Sequence, residues 1–259
     1  MPRRKKPTLA VWKFTSCGGC QLALLNREKE LLALGQHIEI ADFAEIGIRG
    51  RRRAYDLSLV EGAVSTPEEV AAIVGIRRRT KTLVAMGACA TAGGLQALRN
   101  RAGAGQMMGR VYDHPEHIRV LESASPVSAH VPVDLEVRGC PVDGEQLLEV
   151  IAAVIQDRRP HLAEHSLCME CKSRGRVCVM VAKGVRCLGP LTQAGCGALC
   201  PDEGRGCYGC FGLAETRNIE ALRMRWQALR GPENELDRAL GAYNPSPTPG
   251  KEAGGHETD

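Results

Sequence analysis

The chain has 259 residues, of which 44% are hydrophobic and 3% aromatic, and it carries a formal net charge of +4. The apolar content suits a protein with a sizeable buried core, whereas the shortage of aromatic rings argues against a nucleic-acid partner bound by base stacking. No apolar run approaches the roughly 20 residues that a membrane span needs. Because the basic N-terminus lacks the apolar stretch of a secretory signal, the sequence predicts a cytoplasmic protein.

Predicted strands and helices alternate over residues 1–158, which we interpret as the first domain. In chain order they are a strand at 8–14, a helix at 20–34, strands at 37–43 and 57–64, a helix at 66–76, a strand at 82–89, a helix at 91–100, a strand at 133–140 and a helix at 143–157. Strands that alternate with helices pair in parallel, so this pattern predicts an α/β fold with a doubly wound parallel sheet. Five strands suit the flavodoxin-like order 2-1-3-4-5. The connection at 101–131 is long enough to be functional or mobile.

The composition changes after residue 158. Residues 168–210 contain eight cysteines and several glycines but no convincing strand or helix pattern. An irregular module of this kind buries too little apolar surface to fold alone, so we expect a metal staple. A helix is predicted at 212–231, and the polar residues 244–259 are predicted to be disordered. We therefore divide this part of the chain into an irregular cysteine-rich iron–sulfur domain at 159–232 and a polar tail at 233–259.

Twelve cysteines dominate the chemistry of the sequence. Disulfides seldom persist in a reducing cytoplasm, so this many thiols indicates metal ligands. Twelve is three times the four thiolates that a cubane iron–sulfur cluster takes. The candidate ligands are Cys17, Cys20, Cys89, Cys140, Cys168, Cys171, Cys178, Cys187, Cys196, Cys200, Cys207 and Cys210.

Four cysteines of the first domain follow predicted strands. Cys17 and Cys20 come after the first strand, Cys89 closes the fourth and Cys140 closes the fifth. The carboxyl ends of parallel strands lie along one edge of the sheet, where open α/β sheets bind their ligands. We therefore expect these four thiols to converge on one site. A redox pair formed by Cys17 and Cys20 alone is a weaker alternative, because it leaves ten thiols unexplained.

Sequence order divides the other eight cysteines into two sets. The first is Cys168, Cys171, Cys178 and Cys187, and the second is Cys196, Cys200, Cys207 and Cys210. Two four-cysteine zinc sites would satisfy this spacing. Iron–sulfur clusters are favoured because the spacing is tight and irregular and because Pro201 follows Cys200, as in the cysteine runs of bacterial ferredoxins.

Four further residues have open roles. Glu61 ends the third predicted strand on the same edge as the first four cysteines, where a buried carboxylate would relay protons, tune a cluster or simply stabilise a turn. Asp56 is open in the same way. His165 lies three residues before Cys168, and His161 is close by, but both are expected on the surface because four cysteines already complete each set.

Several motifs of this sequence resemble one family. They are SCGGCQLALL, VEGAVSTPEE, GACATAGGLQ, RGCPVDGEQL and CLGPLTQAGCGALCPDEGRGCYGC. They are similar to the small subunit of cytoplasmic nickel–iron hydrogenases, and above all to the delta subunit of the bidirectional, NADP-coupled enzymes called sulfhydrogenases. The resemblance runs from about residue 8 to about residue 230. The first domain alone also resembles the cluster-bearing subunit of respiratory complex I.

This resemblance implies three [4Fe–4S] clusters in a chain. A proximal cluster on Cys17, Cys20, Cys89 and Cys140 would face the nickel–iron site of a large partner subunit. A medial cluster would use the set that begins at Cys196, and a distal cluster the set that begins at Cys168. Exported relatives have histidine in the place of Cys168 and often lack the ligand that Cys200 supplies, and deazaflavin-reducing relatives use aspartate in the proximal site.

The resemblance also implies the direction of the chemistry. The large subunit would split H2, and electrons would pass through this chain to an iron–sulfur subunit and a flavin subunit that reduces NADP. The alternatives are a deazaflavin-, heterodisulfide- or quinone-linked hydrogenase, a complex-I-like assembly, or a zinc-stapled scaffold without redox activity.

Overall fold

Five parallel strands form one sheet in the order β2-β1-β3-β4-β5. The computed structural model describes residues 6–50, 53–232 and 234–245, so the predicted disorder from residue 246 onward lies outside the described residues. The strands are β1 Thr8–Lys13, β2 Glu39–Phe43, β3 Tyr55–Glu61, β4 Thr80–Met86 and β5 Leu135–Val137. The predicted α/β class and the flavodoxin-like strand order are confirmed.

Within the described ranges, six helices accompany the sheet. They are α1 Gly19–Leu25, α2 Glu28–Leu34, α3 Pro67–Arg78, α4 Gly87–Ala92, α5 Ala104–Val111 and α6 Gly144–Ile155. The predicted helix at 20–34 is thus two helices, broken at residues 26–27. Helix α3 begins as predicted, because Thr66 and Glu69 form a reciprocal capping box and Pro67 occupies the first turn.

Each face of the sheet is covered by its own apolar layer. Leu57 and Leu59 of β3 pack on one face against Leu147 and Ile151 of α6. On the other face, residues of β3 and β4 pack against Ile73 and Ile76 of α3. Alternate side chains of a strand point to opposite faces, so a strand buried on both sides reads as a continuous apolar run.

The predicted long connection at 101–131 is ordered in the structure. It contains α5 and short 3-10 turns at Pro115–His117 and Val127–Ala129. Val64 and Ser125 exchange backbone hydrogen bonds of 2.9 and 3.0 Å, which ties the connection to the end of β3. The segment therefore lies against the carboxyl edge of the sheet.

The cysteine-rich domain contains helices where the sequence analysis found no pattern. Three short ones are α7 Leu167–Ser173, α8 Val179–Lys183 and α9 Leu199–Asp202. Helices of four to seven residues are too short to show a 3.6-residue period, which explains why that expectation was wrong.

Two longer helices follow and complete a second core. Helix α10 spans Ile219–Ala228, shorter than predicted, and α11 spans Glu235–Tyr243 within the range assigned to a polar tail. Trp226 and Leu236 are buried against the short helices, so α11 is part of the folded chain. No helix of the described ranges is long and apolar enough to cross a membrane.

Candidate metal centres

The four cysteines of the first domain meet at the carboxyl edge of the sheet. Cys17 lies in the loop after β1, and Cys20 lies in the first turn of α1. Two placements differ from the prediction. Cys89 lies inside α4, because β4 ends at Met86 and Gly87, with φ of 89°, turns the chain directly into the helix. Cys140 lies three residues beyond the end of β5 rather than closing it.

Mutual electrostatic effects show that these four thiols are neighbours. Burial raises the pKa of Cys20 to about 12, and the charges of Glu61, Cys89 and Cys140 add to the rise. Burial also raises the pKa of Cys89 to about 11, with further contributions from Cys140 and Cys17. Every member of the set therefore lies within electrostatic reach of at least two others, as the strand-end argument predicted.

Glycines and backbone N–H groups surround these sulfurs. A Cβ atom at Gly87 would lie 2.5 Å from the Cys20 Sγ, and one at Gly19 would lie 3.3 Å from the Cys17 Sγ. The Gly19 N–H donates to the Cys17 Sγ at 3.4 Å. Such donors stabilise negative charge on sulfur, and the missing side chains leave room beside the thiols.

Glu61 is the charged residue most closely tied to this set. It is 1% exposed, and its Oε1 accepts a hydrogen bond of 3.1 Å from the Cys20 N–H. Its Oε2 has no hydrogen-bond partner among the described residues. Gln21, which the sequence analysis did not single out, is also 1% exposed, and neither polar atom of its side chain has a partner there.

The other residues with open roles lie away from the thiols. Asp56, near the start of β3, accepts hydrogen bonds from the backbone and hydroxyl of Thr8, which holds two strands together. His165 and His161 are exposed, and each forms a hydrogen bond through its backbone. The surface placement expected for both histidines agrees with the structure.

The set of Cys168, Cys171, Cys178 and Cys187 is assembled by two short helices. Cys168 and Cys171 lie on α7, Cys178 immediately precedes α8, and Cys187 follows in a loop. Burial raises the pKa of Cys168 to about 11, and the three other thiols of the set raise it further. A Cβ atom at Gly189 would lie 3.3 Å from the Cys187 Sγ and 3.6 Å from the Cys168 Sγ.

The set of Cys196, Cys200, Cys207 and Cys210 lies next to it. Burial raises the pKa of Cys210 to about 11, and the charges of Cys196 and Cys200 add to the rise. Burial raises the pKa of Cys207 to about 12, against the opposing effect of hydrogen bonds with Thr192 and Gly209. Cys207 borders the other set as well, because its N–H donates to the Cys187 Sγ at 3.2 Å.

Contacts between the sets give them an order in space. A backbone hydrogen bond links Cys140 of the first set to the thiol of Cys210. Cys187 is linked to Cys207, as above. The set that begins at Cys196 therefore lies between the other two, although the set that begins at Cys168 precedes it in the chain. Cys17 and Cys178, in the two outer sets, are exposed, whereas no cysteine of the middle set is.

Comparison with known proteins places this geometry in a family. The family model for the NADH ubiquinone oxidoreductase, 20 Kd subunit, matches residues 17–154, a range that includes the first four cysteines. The chain belongs to this family. Sulfhydrogenase 2 subunit delta of Pyrococcus furiosus is 34% identical over 91% of this chain and 98% of its own length. The hydrogenase resemblance of the sequence motifs is thereby confirmed.

Two further relatives of this 20 Kd subunit family member are also hydrogenase proteins. One subunit of the F420-non-reducing hydrogenase vhu of Methanococcus voltae is 29% identical over 81% of this chain and 83% of its own length. A chain in the structure of an NAD+-reducing [NiFe]-hydrogenase in the H2-reduced state is 27% identical, with a TM-score of 0.56, covering 61% of this chain and 96% of that one. The present chain is an electron-transfer subunit of the nickel–iron hydrogenase family.

The thiol sets of this family member fit polynuclear clusters better than single ions. Among the described residues, no group of three or more His, Cys, Asp or Glu side chains is placed to hold one metal ion. A structural zinc site keeps every thiolate about 2.3 Å from the same ion. A [4Fe–4S] cluster distributes four thiolates over four irons and so sets them further apart, which agrees with thiols that interact without enclosing a single point.

Proposed function

We propose that this chain carries electrons through three [4Fe–4S] clusters between a nickel–iron site in a large partner subunit and an NAD(P)-linked flavin module. The observation that carries the proposal is the spatial order of the three thiol sets, with an exposed cysteine in each outer set and none in the middle one. The bound clusters would supply reversible one-electron transfer. The assignment of all twelve cysteines as ligands belongs to this proposal.

The protein residues would provide shielding and charge compensation. The largest cause of the raised pKa values of Cys20 and Cys207 is burial, so the same packing would keep water from the clusters. Backbone N–H groups donate to the Sγ atoms of Cys17, Cys187 and Cys207 and would stabilise the more negative, reduced state. Residues 1–158 would hold the proximal cluster, and residues 159–232 the medial and distal clusters.

The identity of the electron acceptor rests on weaker support. The similarity to a chain of an NAD+-reducing hydrogenase favours a flavin module that uses NAD(P), reached through an iron–sulfur subunit in the cytoplasm. The similarity to a subunit of an F420-non-reducing hydrogenase supports a second candidate, in which the same three clusters serve a different acceptor complex.

Two measurements on the anaerobically purified complex test these proposals. Iron and acid-labile sulfide analysis should give about a dozen of each for this chain, and zinc in place of iron would contradict the proposal. Addition of H2 to the complete complex with NAD+, NADP+ or a viologen dye should reduce the nicotinamide as well as the dye. Reduction of the dye alone would favour the second candidate.

A further inference from the structure

Helix α8 forms an exposed ridge beside the outer thiol set. Residues 176–183, which we call the α8 ridge, include Cys178 and the whole helix. Cys178 is exposed, and Val177 and Val181 are each 73% exposed. Apolar side chains so far out of the core, grouped together on a surface, mark a site of contact with another molecule.

A depression on one side of the ridge is positively charged. It has a volume of about 510 Å³, and Met180 of the ridge forms part of its wall. Arg217 and Arg225 also line it, and no acidic side chain of the described residues does. Both guanidinium groups donate to backbone carbonyls, so these hydrogen bonds leave their positive charges uncompensated.

The depression on the other side is more balanced. Arg176 and Lys183 of the ridge share it with Asp202 and Glu203, and its volume is about 460 Å³. Arg176 pairs with Asp202 at 2.5 Å. Taken over both sides, four cationic side chains surround the ridge against two carboxylates, so the surface would attract an acidic partner.

We propose that the α8 ridge is the docking surface for the polypeptide that exchanges electrons with the distal cluster, and that this partner presents a face rich in aspartate and glutamate. The inference rests on the proposed electron-transfer function. Three features coincide here: an exposed candidate ligand, apolar side chains that exclude water on contact, and a positive rim that steers and orients an acidic protein. The large subunit is expected at the opposite end of the three sets, where Cys17 is exposed.

The first experiment places a carboxylate on the ridge in the complete complex, expressed with all its subunits. Val181→Glu would set a negative charge against the acidic partner and bury it on docking, so the affinity for that subunit should fall on the order of tenfold or more. The matched control is Leu32→Glu on α2, where the side chain is 76% exposed and far along the chain from the ridge. Native mass spectrometry over a dilution series measures retention of each subunit.

The second experiment tests the charge of the partner directly. A zero-length carbodiimide joins a lysine amine to a carboxylate in contact with it, so Lys183 should couple to an aspartate or glutamate of another polypeptide. Lys183→Arg should abolish this cross-link and preserve binding, because the positive charge remains. Lys183→Glu should weaken binding at low salt, with a smaller difference at high salt where surface charges are screened.

The results separate this inference from the proposed function. Equal partner retention by Val181→Glu and Leu32→Glu, release of the large subunit by Val181→Glu, or coupling of Lys183 only within its own chain would each overturn the docking surface. Iron analysis of the same samples shows which idea has failed. Full iron content with unaffected docking contradicts the ridge alone, whereas a wild-type chain with far fewer than about a dozen irons contradicts both.

Discussion

At the scale of single residues, burial rather than neighbouring charge sets the character of the thiols. It is the largest cause of the raised pKa values of Cys20, Cys89 and Cys207, which reach about 11 to 12. A thiol with such a pKa is protonated at neutral pH and is a poor nucleophile. This disfavours a redox pair that uses Cys20, and it means that iron must displace protons when it binds.

Replacement of an exposed ligand tests the proximal assignment. In Cys17→Ser, the first set keeps three thiols, so the proximal cluster should be lost or altered and electron flow through the chain should stop. The nickel content of the large subunit should stay largely intact, because Cys17 belongs to this chain. Electron paramagnetic resonance and nickel analysis provide the readouts. Normal turnover with an unchanged proximal signal would refute the assignment.

The close approach at Gly87 predicts a second effect at this scale. In Gly87→Ala, the new Cβ would lie 2.5 Å from the Cys20 Sγ, at a φ of 89° that side chains rarely adopt. We expect displacement of Cys20 and loss or distortion of the proximal signal. Gly75→Ala is the matched control, because no atom lies within 4 Å of its Cβ, and alanine in helix α3 should stabilise the protein by about 0.5–1 kcal/mol. Identical spectra for both variants would contradict the expected clash.

At the scale of elements, one side chain connects a helix to the loop that carries Cys17. The Glu69 Oε1 accepts a hydrogen bond of 2.9 Å from the Thr15 hydroxyl, two residues before Cys17. The Glu69 Oε2 accepts from the Ser65 and Thr66 N–H groups at 2.7 and 3.1 Å. The capping box of α3 therefore also fixes the position of the loop after β1.

This double role predicts different outcomes for the two halves of the capping box. Thr66→Ala removes only the cap and should cost about 1 kcal/mol of stability without changing the proximal signal. Glu69→Ala also frees Thr15 and Ser65, so it should cost about 2 kcal/mol and alter that signal. Thermal unfolding by circular dichroism and paramagnetic resonance measure the two effects. Equal behaviour of both variants would show that the link to the loop has no influence on the cluster.

At the scale of the whole molecule, the middle thiol set is held by hydrogen bonds between the two domains. The Gln146 side chain on α6 donates to the Gly195 carbonyl at 3.0 Å, and the Arg138 guanidinium donates to the Leu213 carbonyl at 2.7 Å. From α11, Asn244 donates to the Gly209 carbonyl at 3.0 Å. These contacts flank Cys196 and Cys210 and bring their set against the first.

The unequal cores of the domains predict how iron removal acts. The first domain has a five-stranded sheet with an apolar layer on each face, whereas the second has one apolar cluster that includes cysteines. Since metal binding contributes folding energy in small metal-dependent domains, chelation under reducing conditions should open residues 159–232 first. Limited proteolysis should then cut within that range and leave a fragment near residues 1–158. Simultaneous loss of both parts would contradict this order.

The sequence by itself determined the architecture of the first domain. Apolar periodicity and turn residues reflect contacts a few positions away, so the strands, the capped start of α3 and the parallel pairing could all be predicted. The convergence of Cys17, Cys20, Cys89 and Cys140 could be predicted as well, because the carboxyl ends of parallel strands always share an edge.

Only the tertiary structure decided how the thiols are arranged and exposed. The helices α7 to α9, the place of Cys89 in α4 and the folded helix α11 depend on packing between distant segments, which leaves no period in the chain. The position of the set that begins at Cys196 between the other two follows from contacts such as that of Cys140 with Cys210, which are 70 residues apart. Burial of Glu61 and exposure of Cys178 likewise depend on which elements meet around them, because solvent exposure is a property of the packed molecule rather than of the local sequence.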